Sequence, residues 1–298
     1  MKPQLALALA VAAVSFAAPL IKLASAPPLA VAFYRLFFAS VATFIFARGK
    51  TGLLIGRSLQ LTVLAGVFLG LHFAVWIASL SYTSVMSSVV LVTLQPVLVA
   101  LVSRLCFGEH ISLQGVVGIG LALLGGLALA VFDLGGGVSS LYGDLLAFLG
   151  AVFVSLYFLL GRRVRQEVST LSYTFWAYTV AAATLLLLAS VLRVPLSGFP
   201  GTDWLVFLAL ALVCTLLGHS VFNWSLAYLS ATSVTVAILG EPLGASLWAY
   251  LIFGETPEPL QYAAGVLLLS GVCLYLSTEA RLSSQRSSTE GPSLGKMT

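Results

Sequence analysis

The apolar positions of this chain neither alternate nor keep to one helical stripe. They run in blocks long enough to cross a bilayer core, which takes about 20 mostly apolar residues per helix. Such segments can be drawn at 5–24, 29–47, 59–80, 84–106, 112–132, 143–161, 170–192, 203–227, 232–253 and 259–277. The breaks carry turn chemistry: Pro27-Pro28, Gly49 with Gly52 and Gly56, Gly135-Gly136-Gly137, Pro195 with Gly198 and Pro200, Pro257 with Pro259. Two breaks, near Tyr82 and Tyr228, are very short. Lys2 before the first apolar run resembles the start of a signal peptide. The run is long enough to span and further spans follow, so it is read as the first helix. The expected fold is an all-α integral membrane protein of ten transmembrane helices. Beyond Thr278 the chain is Ser-rich and poor in large apolar residues, so residues 279–298 are expected to form a disordered cytoplasmic tail.

The pattern occurs twice. A shift of 146 residues lays Pro96 on Pro242, Phe107 on Phe253, Gly108 on Gly254 and Glu109 on Glu255. The same shift brings Leu80, Tyr82, Ser84 and Ser87 onto Leu226, Tyr228, Ser230 and Ser233, and Gly125 onto Gly271. The repeats are drawn as residues 1–136 and 137–278. Five spans per repeat is an odd number, so the second copy enters the membrane from the opposite side. Inverted repeats of this kind carry substrate sites between their halves.

Composition narrows the class. The chain is 60% hydrophobic and 8% charged, against about 25% charged for a soluble domain. The net charge of +4 sits in loops and reports topology rather than nucleic-acid binding. With the N-terminus in the cytoplasm, all of the 14 Lys and Arg residues except Lys22, Arg193 and Arg35 fall on cytoplasmic segments. Both termini are therefore expected inside, in a multi-pass protein of the inner (plasma) membrane. Cys106, Cys214 and Cys273 lie scattered in apolar runs without metal-ligand spacing and read as small buried hydrophobes.

The polar residues inside spans are few, and each has a functional and a structural reading. Glu241 lies mid-span before Pro242, where the first copy has Gln95. An intramembrane carboxyl marks a functional site by default: protonated it is neutral, and ionised it must meet water or a cation. The alternative is a structural carboxyl tied to a buried cation or to hydroxyls. Arg35, about two turns inside the second span, and Lys22, near the outer end of the first, suit a carboxylate or phosphate of a substrate. Arg35 also suits carbonyl bracing, and Lys22 suits snorkelling to the interface. His72 and His219, one residue out of register between the copies, suit proton carriers or packing histidines. Gln95, Asn223 and Tyr157 suit a polar cavity lining or interhelical hydrogen bonds. Trp76 and Trp224 suit packing against an apolar or aromatic ligand. No Walker A sequence, HExxH or paired-aspartate motif is present. An intramembrane enzyme is therefore disfavoured, and a gradient must supply the energy for transport.

Arg35 in FYRLFFAS, the stretch LHFAVWIASLSYTSVMSSVVLVTLQPVLVALVSRLCFGE and the later ILGEPLGASLWAYLIFGE resemble EamA-type members of the drug/metabolite transporter superfamily. The resemblance spans about residues 5–277. It implies an exporter of amino acids, metabolites or drug-like compounds, with a cavity lined by helices one to four and six to nine and with helices five and ten peripheral. No cofactor is expected, and no His or Cys has the spacing of a metal ligand set. The partners are a small-molecule substrate and the lipid bilayer, with a homodimer left open and no nucleic acid. An uncoupled facilitator or exchanger is the main alternative to a proton-coupled exporter.

Overall fold

In lipid every backbone donor and acceptor must be satisfied internally, so long apolar runs fold as helices. The computed structural model describes residues 3–107, 112–133, 138–229 and 231–289, all helical or connecting, with no strand among them. The elements are α1 (Pro3–Val14), α2 (Ala17–Leu23), α3 (Pro28–Phe46), α4 (Gly56–Ser79), α5 (Val85–Val92), α6 (Gln95–Phe107), α7 (Leu113–Asp133), α8 (Val138–Val164) and α9 (Thr170–Val191). There follow α10 (Gly201–Ala209), a π-helical stretch Leu210–His219, α11 (Ser220–Ser225), α12 (Ala231–Ile238), α13 (Glu241–Phe253) and α14 (Pro259–Thr289). Six spans among the described residues are long and apolar enough to cross a membrane, and Val85–Val99, Leu113–Ala128 and Pro259–Tyr275 are shorter apolar runs.

The sequence segments at 5–24, 84–106 and 232–253 are each two helices in the structure. Each break has a proline close behind it. Pro19, Pro96 and Pro242 lack the N–H that would bond the carbonyl four residues back, on Ser15, Val92 and Ile238. The segment at 203–227 is interrupted differently, by the π-helical stretch with its wider turn.

Packing follows the two copies. α4 packs on α8 and α9, α3 on α9 and on the π-helical stretch, and α1 on that stretch and on α11. The broken helices cross antiparallel: α5 meets α13 and α6 meets α12. α7 and α14 form a peripheral pair joined backbone to backbone. A Cβ on Gly125 would stand 2.5 Å from the Leu268 nitrogen, and Gly271 lies equally close against Ala122. Small residues permit this approach in lipid. The outward faces carry exposed apolar side chains such as Leu187, Val191, Leu217 and Leu127, which a bilayer covers.

Polar contacts sort the connections onto two ends. At one end Ser25 donates its backbone N–H and its hydroxyl to Asp203, 3.0 and 2.8 Å, and Thr83 donates to Asp144, 2.9 Å. At the other end Ser58 donates to Glu167, 3.1 Å, and Trp176 Nε1 to the Gly52 carbonyl, 3.1 Å. The second end carries Arg162, Arg163 and Arg165.

The tail expected to be disordered from residue 279 continues as α14 to Thr289. Residues 290–298, the Gly135–Gly137 run read as a loop, and the repeat positions Gly108, Glu109 and Ser230 lie outside the described residues.

Candidate functional site

The three breaks and the π-helical stretch meet around one cavity, of ≈ 30 Å³. Its walls combine both sides of each break: Val14 with Ala17, Val92 with Gln95, Ile238 with Glu241. α3 contributes Arg35, α4 contributes His72 and Trp76, α8 contributes Val154 and Phe158, and the eighth segment contributes His219 and Phe222. Backbone loosened in this way is tolerated in a membrane where it lines a cavity. At this volume it holds about one or two waters, well below the about 300–1,000 Å³ of small-molecule sites.

Arg35 is the central fixed charge. It is fully buried, and its guanidinium lies over the Phe73 ring at 4.2 Å from the centroid. Its Nε donates to Thr215 Oγ1 at 2.9 Å. The Thr215 hydroxyl in turn donates to the Leu210 carbonyl five residues back, at 3.0 Å, a reach that suits the π-helical turn. Nη1 and Nη2 of Arg35 are buried without a hydrogen-bond partner. An unpaired guanidinium in this setting is costly unless something arrives to meet it.

The other polar groups of the cavity are also incompletely satisfied. Glu241 begins α13, is 8% exposed, and forms no ion pair within 4.0 Å among the described residues. Trp76 Nε1, Gln95 Oε1 and His219 Nδ1 are buried and without partners. His72 is better anchored. Its Nδ1 lies 2.9 Å from the Gly150 carbonyl, an acceptor, which assigns the proton to Nδ1. Its ring stacks on Trp76 at 5.8 Å and 4°. Of the residues singled out from sequence, Arg35, His72, Trp76, Gln95, His219 and Glu241 thus share one cavity.

The remaining four do not line it. Asn223 and Tyr157 lie toward the Arg165 end, where Asn223 Nδ2 donates to Tyr157 Oη at 2.6 Å and to Tyr178 Oη at 3.4 Å. Beyond them Arg165 donates to the Asn223 carbonyl at 3.0 Å, to Thr170 Oγ1 at 2.6 Å and to the Val168 carbonyl, while Arg162 holds the Leu226 carbonyl. These guanidiniums satisfy carbonyls at the end of α11, which has no further helical turn to do so. Trp224 is half-buried against Tyr228, ring centroids 5.0 Å apart, away from the cavity. Lys22 sits at the opposite end, beside a second cavity of ≈ 410 Å³ lined also by Ile21, Val31, Ile77 and Phe253, and pairs with Glu255 at 3.2 Å.

Sequence reasoning missed Thr215, Phe73 and Phe158. Thr and Phe in apolar runs carry no local signal, and only the packing of α3, α4, α8 and the π-helical stretch brings them to the site. α9, expected to line the cavity as the seventh span, contributes no residue to its wall.

Comparison with known proteins agrees with the two-copy pattern. The profile of the EamA-like transporter family matches residues 1–131 and again 141–277. An uncharacterized transporter of Archaeoglobus fulgidus is 27% identical over 246 residues, covering 83% of this chain and 86% of that protein. The pseudopaline exporter CntI of Pseudomonas aeruginosa is 27% identical over 267 residues, 87% and 89% of the two chains. A crystal structure superposes with a TM-score of 0.64 at 19% identity, covering 92% of this chain and 98% of that one, and is similar in fold.

Proposed function

Since the chain belongs to the EamA-like transporter family, we propose that it is a ten-span, inverted-repeat exporter of a small metabolite, an amino acid or a drug-like compound. On this reading it works by alternating access with proton coupling at Glu241. That it is a multi-pass membrane transporter and not an enzyme follows from the family and from relatives named as transporters. Ten spans are obtained by counting each broken helix once. The exchanged contacts, α5 with α13 and α6 with α12, support an inverted relation between the halves. Export is supported by the relative named as a pseudopaline exporter. On this reading the protein lies in the plasma membrane with both termini inside, an orientation that the basic residues of the loops support.

The observation that carries the mechanism is the pairing of opposites in one cavity. Arg35 presents two unpartnered Nη groups, and Glu241 faces the same space without an ion-pair partner within 4.0 Å among the described residues. A planar oxyanion such as a carboxylate fits the two-pronged guanidinium. A ligand that also brings a cationic donor satisfies Glu241 in its ionised form. A proton on Glu241 then excludes that donor, and exclusion of one by the other is the requirement for exchanging a proton for substrate. Arg35, Glu241, Gln95, Trp76, His72 and His219 are the proposed contacts. Tyr157, Asn223 and Trp224 stand outside this contact set, toward the Arg165 end, and Lys22 stands at the outer approach.

The test is counterflow and gradient-driven uptake in proteoliposomes, with a panel of labelled acids, amines and zwitterions. Wild type should accumulate substrate in response to an imposed pH gradient. Glu241→Gln, a mimic of the protonated form, should fold, keep some exchange and lose the gradient response. Wild-type transport indifferent to the gradient would remove proton coupling and leave a facilitator or exchanger. The orientation is checked separately: cysteine at Ser139 in a background free of native cysteines should react with an impermeant thiol reagent outside intact cells, and cysteine at Gln166 should not.

A further inference from the structure

The cavity is bounded on one side by three half-helices, α2, α5 and α13, each joined at the cavity level to its other half through a proline-loosened break. Their far ends converge on one side chain. Glu255 follows Gly254, which ends α13 in the left-handed conformation at φ 66° and turns the chain back across the bundle. Glu255 Oε1 accepts the backbone N–H of Val85 at 2.9 Å, the first residue of α5. That N–H is one of the donors that no helix can satisfy internally, and the positive end of the helix favours a carboxylate there. Glu255 Oε2 accepts from Lys22 Nζ at 3.2 Å, in the last turn of α2. One carboxylate therefore ties the tips of all three half-helices.

We propose that Glu255 is the clasp of a gate. The three half-helices swing as levers about their breaks, and access to the cavity from the Lys22 end requires Glu255 to release Val85 and Lys22. The proposal rests on the alternating-access reading of the same cavity, but its test reads accessibility and needs no identified substrate. The arms are unequal by their physics. The Val85 bond is charge-assisted and set at a helix terminus, whereas the Lys22 pair is 28% and 23% exposed and partly screened by water.

The experiment uses the full-length protein with its native cysteines replaced and Ala17, a buried residue of the cavity wall, changed to cysteine. The labelling rate with an impermeant maleimide is measured in right-side-out and in inverted vesicles. Glu255→Ala should raise the rate about tenfold, the shift expected from losing a charge-assisted hydrogen bond, and from the Lys22 side alone. Glu255→Gln keeps an acceptor for Val85 and should give a smaller rise. Lys22→Met should change the rate by about twofold. The exchanged pair, Lys22→Glu with Glu255→Lys, restores the ion pair but leaves Val85 without an acceptor, and should label as Glu255→Ala does. An unchanged rate in folded Glu255→Ala, or an equal rise from both faces, overturns the clasp. If Glu255→Ala fails to fold, the Glu255→Gln and exchanged-pair rates decide it: both equal to the parent overturns the proposal. Loss of transport in every variant without altered accessibility would count against the clasp while leaving the transport reading intact.

Discussion

The two breaks at Val92–Gln95 and Ile238–Glu241 share their backbone device and differ in one side chain. In each a proline at the second position of the following helix loosens the turn, and in each the residue before that proline faces the cavity. Yet Gln95 heads α6, which packs on α12 toward the Arg165 end, and Glu241 heads α13, which runs to Lys22 and Glu255. The first copy thus supplies a neutral amide at the head of α6 and the second an ionisable carboxyl at the head of α13. The difference teaches that the two copies share the helix break, while the charge stands in one of them only.

The largest effect should come from exchanging the two residues, Gln95→Glu with Glu241→Gln. If position on α13 matters, the exchanged protein should fold and bind but lose gradient-driven accumulation as completely as Glu241→Gln alone. Accumulation restored by the exchange would break the comparison and show that a carboxyl anywhere in the cavity suffices. The measurement is uptake in proteoliposomes with and without a pH gradient.

A second substitution asks whether the halves can also be alike where they meet. α7 and α14 occupy equivalent places and touch through Gly125 and Gly271. Leu at Gly125 or Gly271 forces two backbones apart and should cost about 1–3 kcal/mol or more, read as lower folded yield and a lower melting temperature in detergent. Because neither helix lines the cavity, the protein that does fold should keep the parent KM. A normal melt with altered KM would reverse the division between peripheral pair and cavity.

The smallest effect concerns the residue that aims Arg35. Thr215→Val removes the acceptor for Arg35 Nε while keeping the shape of the side chain, and should raise KM for an anionic substrate about tenfold, the equivalent of a hydrogen bond to a charged group. Thr215→Ser should restore it. An equal loss for uncharged substrates would mean that Thr215 serves the π-helical turn rather than Arg35.

The sequence by itself determined that this chain lies in a membrane, because runs of apolar residues have no other solvent that tolerates them. It also determined the doubling, since Pro96 with Pro242 and Gly125 with Gly271 recur at one spacing. Most of the cavity was legible too. Arg35, His72, Gln95, His219 and Glu241 stand out because a polar side chain in an apolar span is conspicuous. Trp224 and Lys22 shared that conspicuousness and lie elsewhere, since polarity marks a residue without saying which way it faces. What only the tertiary structure decided is the partnership: Thr215 and Phe73 around Arg35, the π-helical stretch that carries Thr215 there, and the meeting of Glu255 with Val85 and Lys22. These contacts join residues 38 to 233 positions apart. Local propensity acts within a few turns of chain, and only the crossing of packed helices fixes which distant side chains meet.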